Sequence, residues 1–200
     1  MQSDVFYSQA VPRTRWKGQL DRLIGPGATP AELLLQFVPA VVAAISAPLY
    51  ASTLPINWTS WQLGLMAVLG FDLVGGVLTN ATAAAKRWYH RPGRGWRQHL
   101  MFIIMHLLHI GLVAFLFRGA DGVFFAVVSS YLLLASGLIL GSPLYLQRPV
   151  ALGLYGLMLI CDRYLISPTP GLEWFLPLFF LKLLVSHLLN ETPYQPGETR

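Results

Sequence analysis

The sequence predicts an all-α integral membrane protein: a six-transmembrane-helix bundle with both termini cytoplasmic and a short N-terminal interfacial helix. Three observations predict this class. Of the 200 residues, 54% are apolar and 12% are charged, whereas a soluble domain has about a quarter charged residues. The apolar residues form six runs of about 20 residues, enough to cross a hydrocarbon layer about 30 Å thick. The cations are concentrated on alternate connections between these runs.

The N-terminal segment, residues 1–30, is polar and basic and is predicted to lie on the cytoplasmic side. Four apolar side chains fall on one helical face: Trp16, Leu20, Leu23 and Ile24. With cations around them, this pattern is typical of a short helix in the membrane interface, ended by Gly25-Pro26-Gly27. A basic tail without fixed structure fits the same residues equally well.

The transmembrane domain is predicted over residues 31–190. Its six runs are Ala31–Leu54, Trp61–Ala85, His99–Phe117, Gly122–Leu140, Pro149–Ile166 and Leu172–Asn190. Their connections are short, so helices that are neighbours in sequence are expected to pack as antiparallel neighbours. Residues 191–200 form the C-terminal tail.

Positive charge sets the predicted orientation. Eleven Lys and Arg residues lie on the tails and on the even-numbered connections, against Arg118 and Arg163 on the opposite side. The cation-rich side is cytoplasmic by the positive-inside rule. Both termini and the Lys86–Arg97 turn are therefore predicted to face the cytoplasm. We expect a multi-pass protein of the plasma membrane, of the bacterial inner-membrane type.

The net charge of +5 indicates anionic lipid head groups on the cytoplasmic side as partners, and not nucleic acid. Four arginines near the Lys86–Arg97 turn are predicted to contact those head groups: Arg87, Arg91, Arg94 and Arg97. The sequence leaves open whether the chain forms a homo-oligomer.

Ionisable residues at membrane depth usually face a protein interior or a watery cavity. Counting about 1.5 Å of rise per residue from the cytoplasmic helix ends places Asp72, His109 and Lys182 in one layer near the midplane. A second group falls just below this layer: His106, Asn80 and His187. We expect Asp72 and Lys182 to form a buried ion pair, and we assign the catalytic roles to them.

Two imidazoles at i and i+3, His106 and His109, converge on one side of a helix. Together with His187 they are the predicted metal ligands, with zinc or iron as the ion. The predicted supporting partners of these ligands are Thr79, Asn80 and Asn190. A haem would instead take one His from each of two helices, with His106 and His187 the nearest pair. The leading interpretation is a metal- or haem-dependent membrane-embedded enzyme that acts on a lipid or quinone-like substrate.

Two other interpretations use the same residues. In a proton-coupled small-molecule or ion transporter or channel, Asp72 and Lys182 would pair while the histidines relay protons. In a non-catalytic scaffold or assembly subunit, the polar groups would only join helices. The grouping of three His, one Asp and one Lys at compatible depths favours a working site. His99 is expected at the membrane surface, outside this site.

Overall fold

The computed structural model describes residues 11–191, and the regular structure in that range is helical. In chain order the helices are α1 (Arg15–Ile24), α2 (Pro30–Ser52), α3 (Ser60–Ala81), α4 (Ala83–Tyr89), α5 (Trp96–Met105), α6 (Leu107–Leu116), α7 (Gly122–Gly141), α8 (Leu144–Tyr164) and α9 (Phe175–Phe180). Helix α9 continues directly into a π-helical segment, Leu181–His187. These two pieces together are called the final helix.

Within residues 11–191, five helical segments are long and apolar enough to cross a membrane: α2, α3, α5 with α6, α7 and α8. They correspond to the first five predicted runs and indicate a membrane-embedded protein. The sixth predicted run contains only the shorter final helix, Phe175–His187. The helix starts late because two tight turns precede it. The Leu172 N–H donates to the Thr169 carbonyl, and the Phe175 N–H donates to the Leu172 carbonyl.

Local sequence explains where the first two long helices begin. Thr29 accepts from the backbone of Glu32, whose carboxylate accepts from the Thr29 backbone N–H in return. Thr59 and Gln62 form the same reciprocal arrangement at the start of α3. Each capping box satisfies two N–H groups that the first helical turn leaves without partners. The two helices therefore start within a residue of the predicted runs.

The final helix lies at the centre of the bundle, packed against α3, α7 and α8. Its large apolar side chains are buried on all sides: Phe175, Phe179, Phe180, Leu183 and Leu184. The outer helices expose apolar side chains instead, such as Leu34, Val38 and Ile45 on α2. A helix that is apolar all round is expected in a protein core, and the exposed faces suit surrounding lipid.

Helices α2 and α3 approach closely because α3 carries glycines at their contact. A Cβ at Gly70 would lie 2.9 Å from the Ala43 carbonyl oxygen, and one at Gly75 would lie 3.1 Å from Ala40 Cβ. Two adjacent glycines, Gly75 and Gly76, each allow such an approach. Gly75 admits α2, and Gly76 admits a side chain of the final helix, as described below.

The N-terminal segment forms a helix rather than an irregular tail. Helix α1 ends at Gly25, whose φ of +90° favours glycine, and a Cβ there would lie 2.4 Å from the Ala84 backbone. The Tyr89 hydroxyl donates to the Leu23 carbonyl at 2.8 Å. Glycine is thus required both for the backbone conformation and for the close approach of α4. Helix α1 is held on α4; its location in the membrane interface stays a prediction.

Candidate functional site

The centre of the site is the Asp72 carboxylate on α3. Its Oδ2 atom accepts from Lys182 Nζ at 2.6 Å and lies 2.9 Å from His109 Nε2. The three residues come from α3, α6 and the final helix. Counting depth from the sequence placed these three groups in one layer, although Asp72 is 37 residues from His109 and 110 residues from Lys182 in the chain. Neither of these bonds uses Oδ1 of the same carboxylate.

The helix that carries His106 is broken at that residue. The His106 backbone N–H bonds the carbonyls of Ile103 and Ile104 instead of the carbonyl four residues earlier, and α6 begins at the next residue. The Phe102 carbonyl, which a regular helix would pair with that N–H, accepts from His106 Nδ1 at 2.7 Å. The break therefore fixes the imidazole, because the proton is on Nδ1 and the lone pair remains on Nε2.

The second imidazole, His109, is fixed by Asp72. Its Nε2 atom donates to the carboxylate, and its Nδ1 atom is buried with no hydrogen-bond partner among residues 11–191. The rings of His106 and His109 are parallel, with centroids 4.9 Å apart and an interplanar angle of 10°. One nitrogen of each ring and one Asp72 oxygen lie within 4.8 Å of one another. Two imidazoles and a carboxylate thus converge.

Lys182 reaches Asp72 because Gly76 has no side chain. A Cβ at Gly76 would lie 2.3 Å from Lys182 Cε. The lysine side chain is 3% exposed and the Asp72 side chain 39% exposed, so the ammonium is the deeply buried partner. It lies in the π-helical segment, and such turns occur frequently at functional sites.

The structure separates His187 from the other two predicted ligands. His187 Nε2 lies 3.2 Å from His99 Nδ1, and His187 Nδ1 lies 3.4 Å from Asn80 Oδ1. The Phe102 ring stacks on His187 with a centroid distance of 3.9 Å and is 4.3 Å from the His106 ring. His187 is one π-helical turn beyond Lys182 toward the C-terminal end of the final helix, and Phe102 fills the intervening space. The predicted three-histidine group is therefore not assembled.

The predicted supporting residues are divided in the same way. Thr79 Oγ1 donates to Gln36 Oε1 on α2 at 3.0 Å. Asn80 accompanies His187, and Asn190 is exposed at the end of the described chain. None of the three contacts the Asp72 group through a hydrogen bond found within the described residues.

The four predicted head-group arginines lie at or beside the turn between α4 and α5. Arg94 and Arg97 are exposed, whereas Arg91 is half-buried and stacks on the Trp88 ring at 3.5 Å. Arg87, on α4, is half-buried. The loop thus presents at least two accessible guanidinium groups on the side where α1 lies.

Sequence reasoning missed three residues of this region: His90, His99 and Gln36. His99 is buried rather than at the surface, and its ring stacks on His90 with centroids 4.6 Å apart. All five histidines of the chain therefore lie in one row, in which Phe102 separates His90, His99 and His187 from the pair beside Asp72. His99 shares a helical sector with His106, which was a usable signal; His90 lies in a turn and offered none.

Burial affects the ionisable groups at the His90 end of this row. Lys86 donates to the Leu189 carbonyl at 2.6 Å; burial lowers its pKa to about 8, and Glu191 opposes that change. His90 Nε2 lies 3.0 Å from the His187 carbonyl oxygen. Burial lowers the pKa of His90 to about 3, with the neighbouring His99 and Lys86 acting in the same direction. The His90 side chain is thus held as neutral imidazole.

A cavity of about 380 Å³ joins these groups to the outside of the bundle. Its polar lining includes Asp72, His106, His109, Lys182 and Gln36, and most of the remaining lining is apolar. Three exposed apolar side chains lie at its rim: Phe71, Met105 and Leu108. A largely apolar cavity of this size with a few convergent polar groups is typical of a small-molecule site. Its apolar rim opens sideways, between α3 and the α5–α6 helix.

No family model, curated protein or solved structure matches this chain.

Proposed function

We propose that this protein is a membrane-embedded, metal-dependent enzyme in which Asp72, His106 and His109 bind a divalent transition-metal ion, zinc or iron. The observation that carries this proposal is the convergence of their three ligand atoms within 4.8 Å. His106 Nδ1 is occupied by a backbone carbonyl, which orients this histidine as in known metal sites and leaves Nε2 as its ligand atom. His109 Nε2 lies 2.9 Å from Asp72 Oδ2, and a bound ion would replace that hydrogen bond with bonds from both groups to the metal.

The geometry favours a metal ion over a haem. The nearest predicted haem-binding pair, His106 and His187, has the Phe102 ring stacked between its members. Two nitrogen ligands and one carboxylate suit zinc or non-haem iron, and both ions keep open positions at catalytic sites. A bound ion would supply Lewis acidity or activate water beside the cavity. Lys182 would share the Asp72 carboxylate with the ion and balance its charge.

The cavity suggests where the substrate comes from. Its rim carries the exposed apolar side chains of Phe71, Met105 and Leu108, which lie on α3, α5 and α6. A molecule dissolved in the bilayer could therefore enter sideways without crossing water. A lipid or quinone-like molecule has the required apolar body, which supports the predicted substrate class.

This function includes a definite placement in the membrane. We propose six membrane helices, the final one short and central, with both termini and the α4–α5 turn in the cytoplasm. Exposed Arg94 and Arg97 would contact anionic head groups there. The cation distribution supports the plasma membrane, of the bacterial inner-membrane type, as the location. The arrangement within an oligomer, if one forms, is not needed for the site.

Metal content of the purified protein tests the proposal. Wild-type protein should bind close to one zinc or iron per chain, and His106→Ala and His109→Ala should lose it. His99→Ala is the matched control. His99 lies on the other side of Phe102 from the proposed ligands, so this variant should retain the metal. The sequence predicted a contribution from His187, but its position leads us to expect that His187→Ala also retains it. Wild-type protein that is folded and binds neither ion would refute the metal site.

The row of five histidines favours a second candidate, a proton-coupled transporter or channel. Neutral imidazoles in contact can pass protons from one to the next. The Asp72 and Lys182 charges, paired in the closed bundle, would change partners during transport. Phe102 interrupts the row between His187 and His106, which is why we rank this candidate second. The two functions respond differently in vesicles: a chelator should abolish the enzyme, whereas proton uptake measured with an internal pH dye should be insensitive to it.

A further inference from the structure

One polar side chain of the cavity lining has a hydrogen-bond partner for its amide oxygen and none for its amide nitrogen among the described residues. Gln36 on α2 is 2% exposed and lines the cavity. Its Oε1 atom accepts from Thr79 Oγ1 at 3.0 Å. Its Nε2 atom is buried and has no hydrogen-bond partner within the part of the chain that the structure describes. Gln36 was not singled out by the sequence, because it lies in the outermost turns of the first apolar run.

An amide donor in this position is costly unless something accepts from it. Leaving a buried donor unpaired costs about 1–3 kcal/mol, and a leucine of similar size would avoid that cost. The amide nitrogen has two N–H groups and no lone pair to offer, so its partner must be an acceptor. The cavity is the space into which such an acceptor can enter.

The other lining residues narrow the chemistry of that acceptor. Lys182 is the one ammonium or guanidinium among the described lining residues, and its charge is paired with Asp72. Apart from the metal ion proposed at Asp72, His106 and His109, the described lining thus has no spare cation to stabilise a carboxylate or a phosphate at Gln36. A neutral carbonyl oxygen, which accepts hydrogen bonds and has no proton to place, suits an amide donor in apolar surroundings.

We propose that Gln36 Nε2 binds the carbonyl oxygen of an apolar substrate, an acyl ester or a quinone, and positions that group beside Asp72, His106 and His109. Thr79 acts on the substrate through Gln36, since its hydroxyl holds the amide oxygen and leaves the nitrogen as the unpaired group. The inference rests on the proposed function for its link to the metal ligands, but the carbonyl site itself is a separate property of α2 and α3.

Isotope-edited infrared spectroscopy tests the carbonyl site directly. The two probes are methyl oleate labelled with ¹³C at its carbonyl carbon and a short-chain ubiquinone labelled at its carbonyl carbons, each added to the full-length protein in detergent. A carbonyl that accepts a hydrogen bond from an amide absorbs at lower frequency than the same probe in empty detergent micelles. Wild-type protein should show the lowered band with one of the two probes, and which one responds identifies the substrate class.

Gln36→Leu removes the donor with little change in volume. It should lose the lowered band and weaken binding of the responsive probe about fivefold, consistent with one neutral hydrogen bond. Gln147→Leu is the matched control, because Gln147 lies on α8 outside the cavity lining. It should leave the band unchanged. Thr79→Val, which keeps Gln36 and only releases its oxygen, should broaden the band even if Gln36→Leu does not fold.

Metal content measured on the same samples separates the two proposals. A lowered band with normal metal content in wild type, and loss of the band alone in Gln36→Leu, is the expected result. A lowered band in a protein that binds no metal would refute the metal site and leave the carbonyl site standing. Metal binding without a lowered band for either probe, or a lowered band that persists in Gln36→Leu, would overturn the role of Gln36.

Discussion

The Asp72–Lys182 ion pair gives the sharpest stability prediction, because its two partners differ in burial. The Lys182 side chain is 3% exposed and the Asp72 side chain 39%. Asp72→Asn leaves a buried ammonium without a counter-charge, which costs about 3–5 kcal/mol. Lys182→Met removes that charge and leaves a half-exposed carboxylate still bonded to His109. We expect this second loss to be only about 1–2 kcal/mol, the range for a bond between polar groups.

The double variant measures the coupling between the two groups. Asp72→Asn combined with Lys182→Met contains no buried charge at this point, so its loss of stability should be smaller than the sum of the single losses by about 1–3 kcal/mol. The assay is reversible unfolding in detergent, with a chelator present so that metal binding does not contribute. Additive losses would refute the pairing. A larger loss of stability in Lys182→Met than in Asp72→Asn would refute the argument that the ammonium is the deeply buried partner.

The same pair can be broken without touching either charge. Gly76→Ala places a Cβ 2.3 Å from Lys182 Cε, so the lysine side chain must move away from Asp72. We expect a destabilisation that falls between the two single losses. Gly64→Ala in the same helix meets nothing within 4 Å and is the control; it should be neutral or stabilise α3 by up to about 1 kcal/mol. Equal behaviour of the two alanine variants would show that the ion pair does not depend on Gly76.

Two further predictions concern the cytoplasmic side. Burial lowers the pKa of His90 from 6.5 to about 3, so between these pH values the unfolded chain binds more protons and stability is lost as the pH falls, by about 2 kcal/mol at pH 5. His90→Gln, which can still donate to the His187 carbonyl, should flatten this acid dependence in thermal unfolding, and an unchanged pH profile would contradict the assignment. Second, Arg94→Cys in a Cys161→Ala background should resist an impermeant thiol reagent added to intact cells and react in inverted membranes; labelling from outside would overturn the proposed orientation.

The layer that contains Asp72, His109 and Lys182 could be predicted from the sequence for a simple reason. The rise of about 1.5 Å per residue is a property of the helix alone, so depth can be counted without knowing how helices pack. The count placed these three groups together, and they are joined by distances of 2.6 and 2.9 Å. It also placed His187 near Asn80, and their ring nitrogen and amide oxygen are 3.4 Å apart.

The failures have an equally physical origin. Counting placed His187 and His106 in one group, but the side chain that fills the space between them depends on packing that the sequence does not reveal; here it is Phe102. The helix break at His106 occurs without Pro or Gly, because an imidazole captures the Phe102 carbonyl. The final helix is short because a turn between Leu172 and Phe175 occupies the start of the sixth predicted run. None of these features changes the composition or the periodicity of the sequence.

The central position of the final helix has a consequence for how the protein is made. Its six α-helical and seven π-helical residues extend about 20 Å, less than a hydrocarbon layer of about 30 Å. Its surroundings are α3, α7 and α8 rather than acyl chains, and its C-terminal end is held by Lys86 at the Leu189 carbonyl. It is synthesised after the five long helices, and the place it occupies exists only once they have associated. In the proposed six-helix arrangement, its entry into the membrane is therefore a step of assembly, governed by fit to its neighbours, and not a partitioning of an isolated segment from the translocon into lipid.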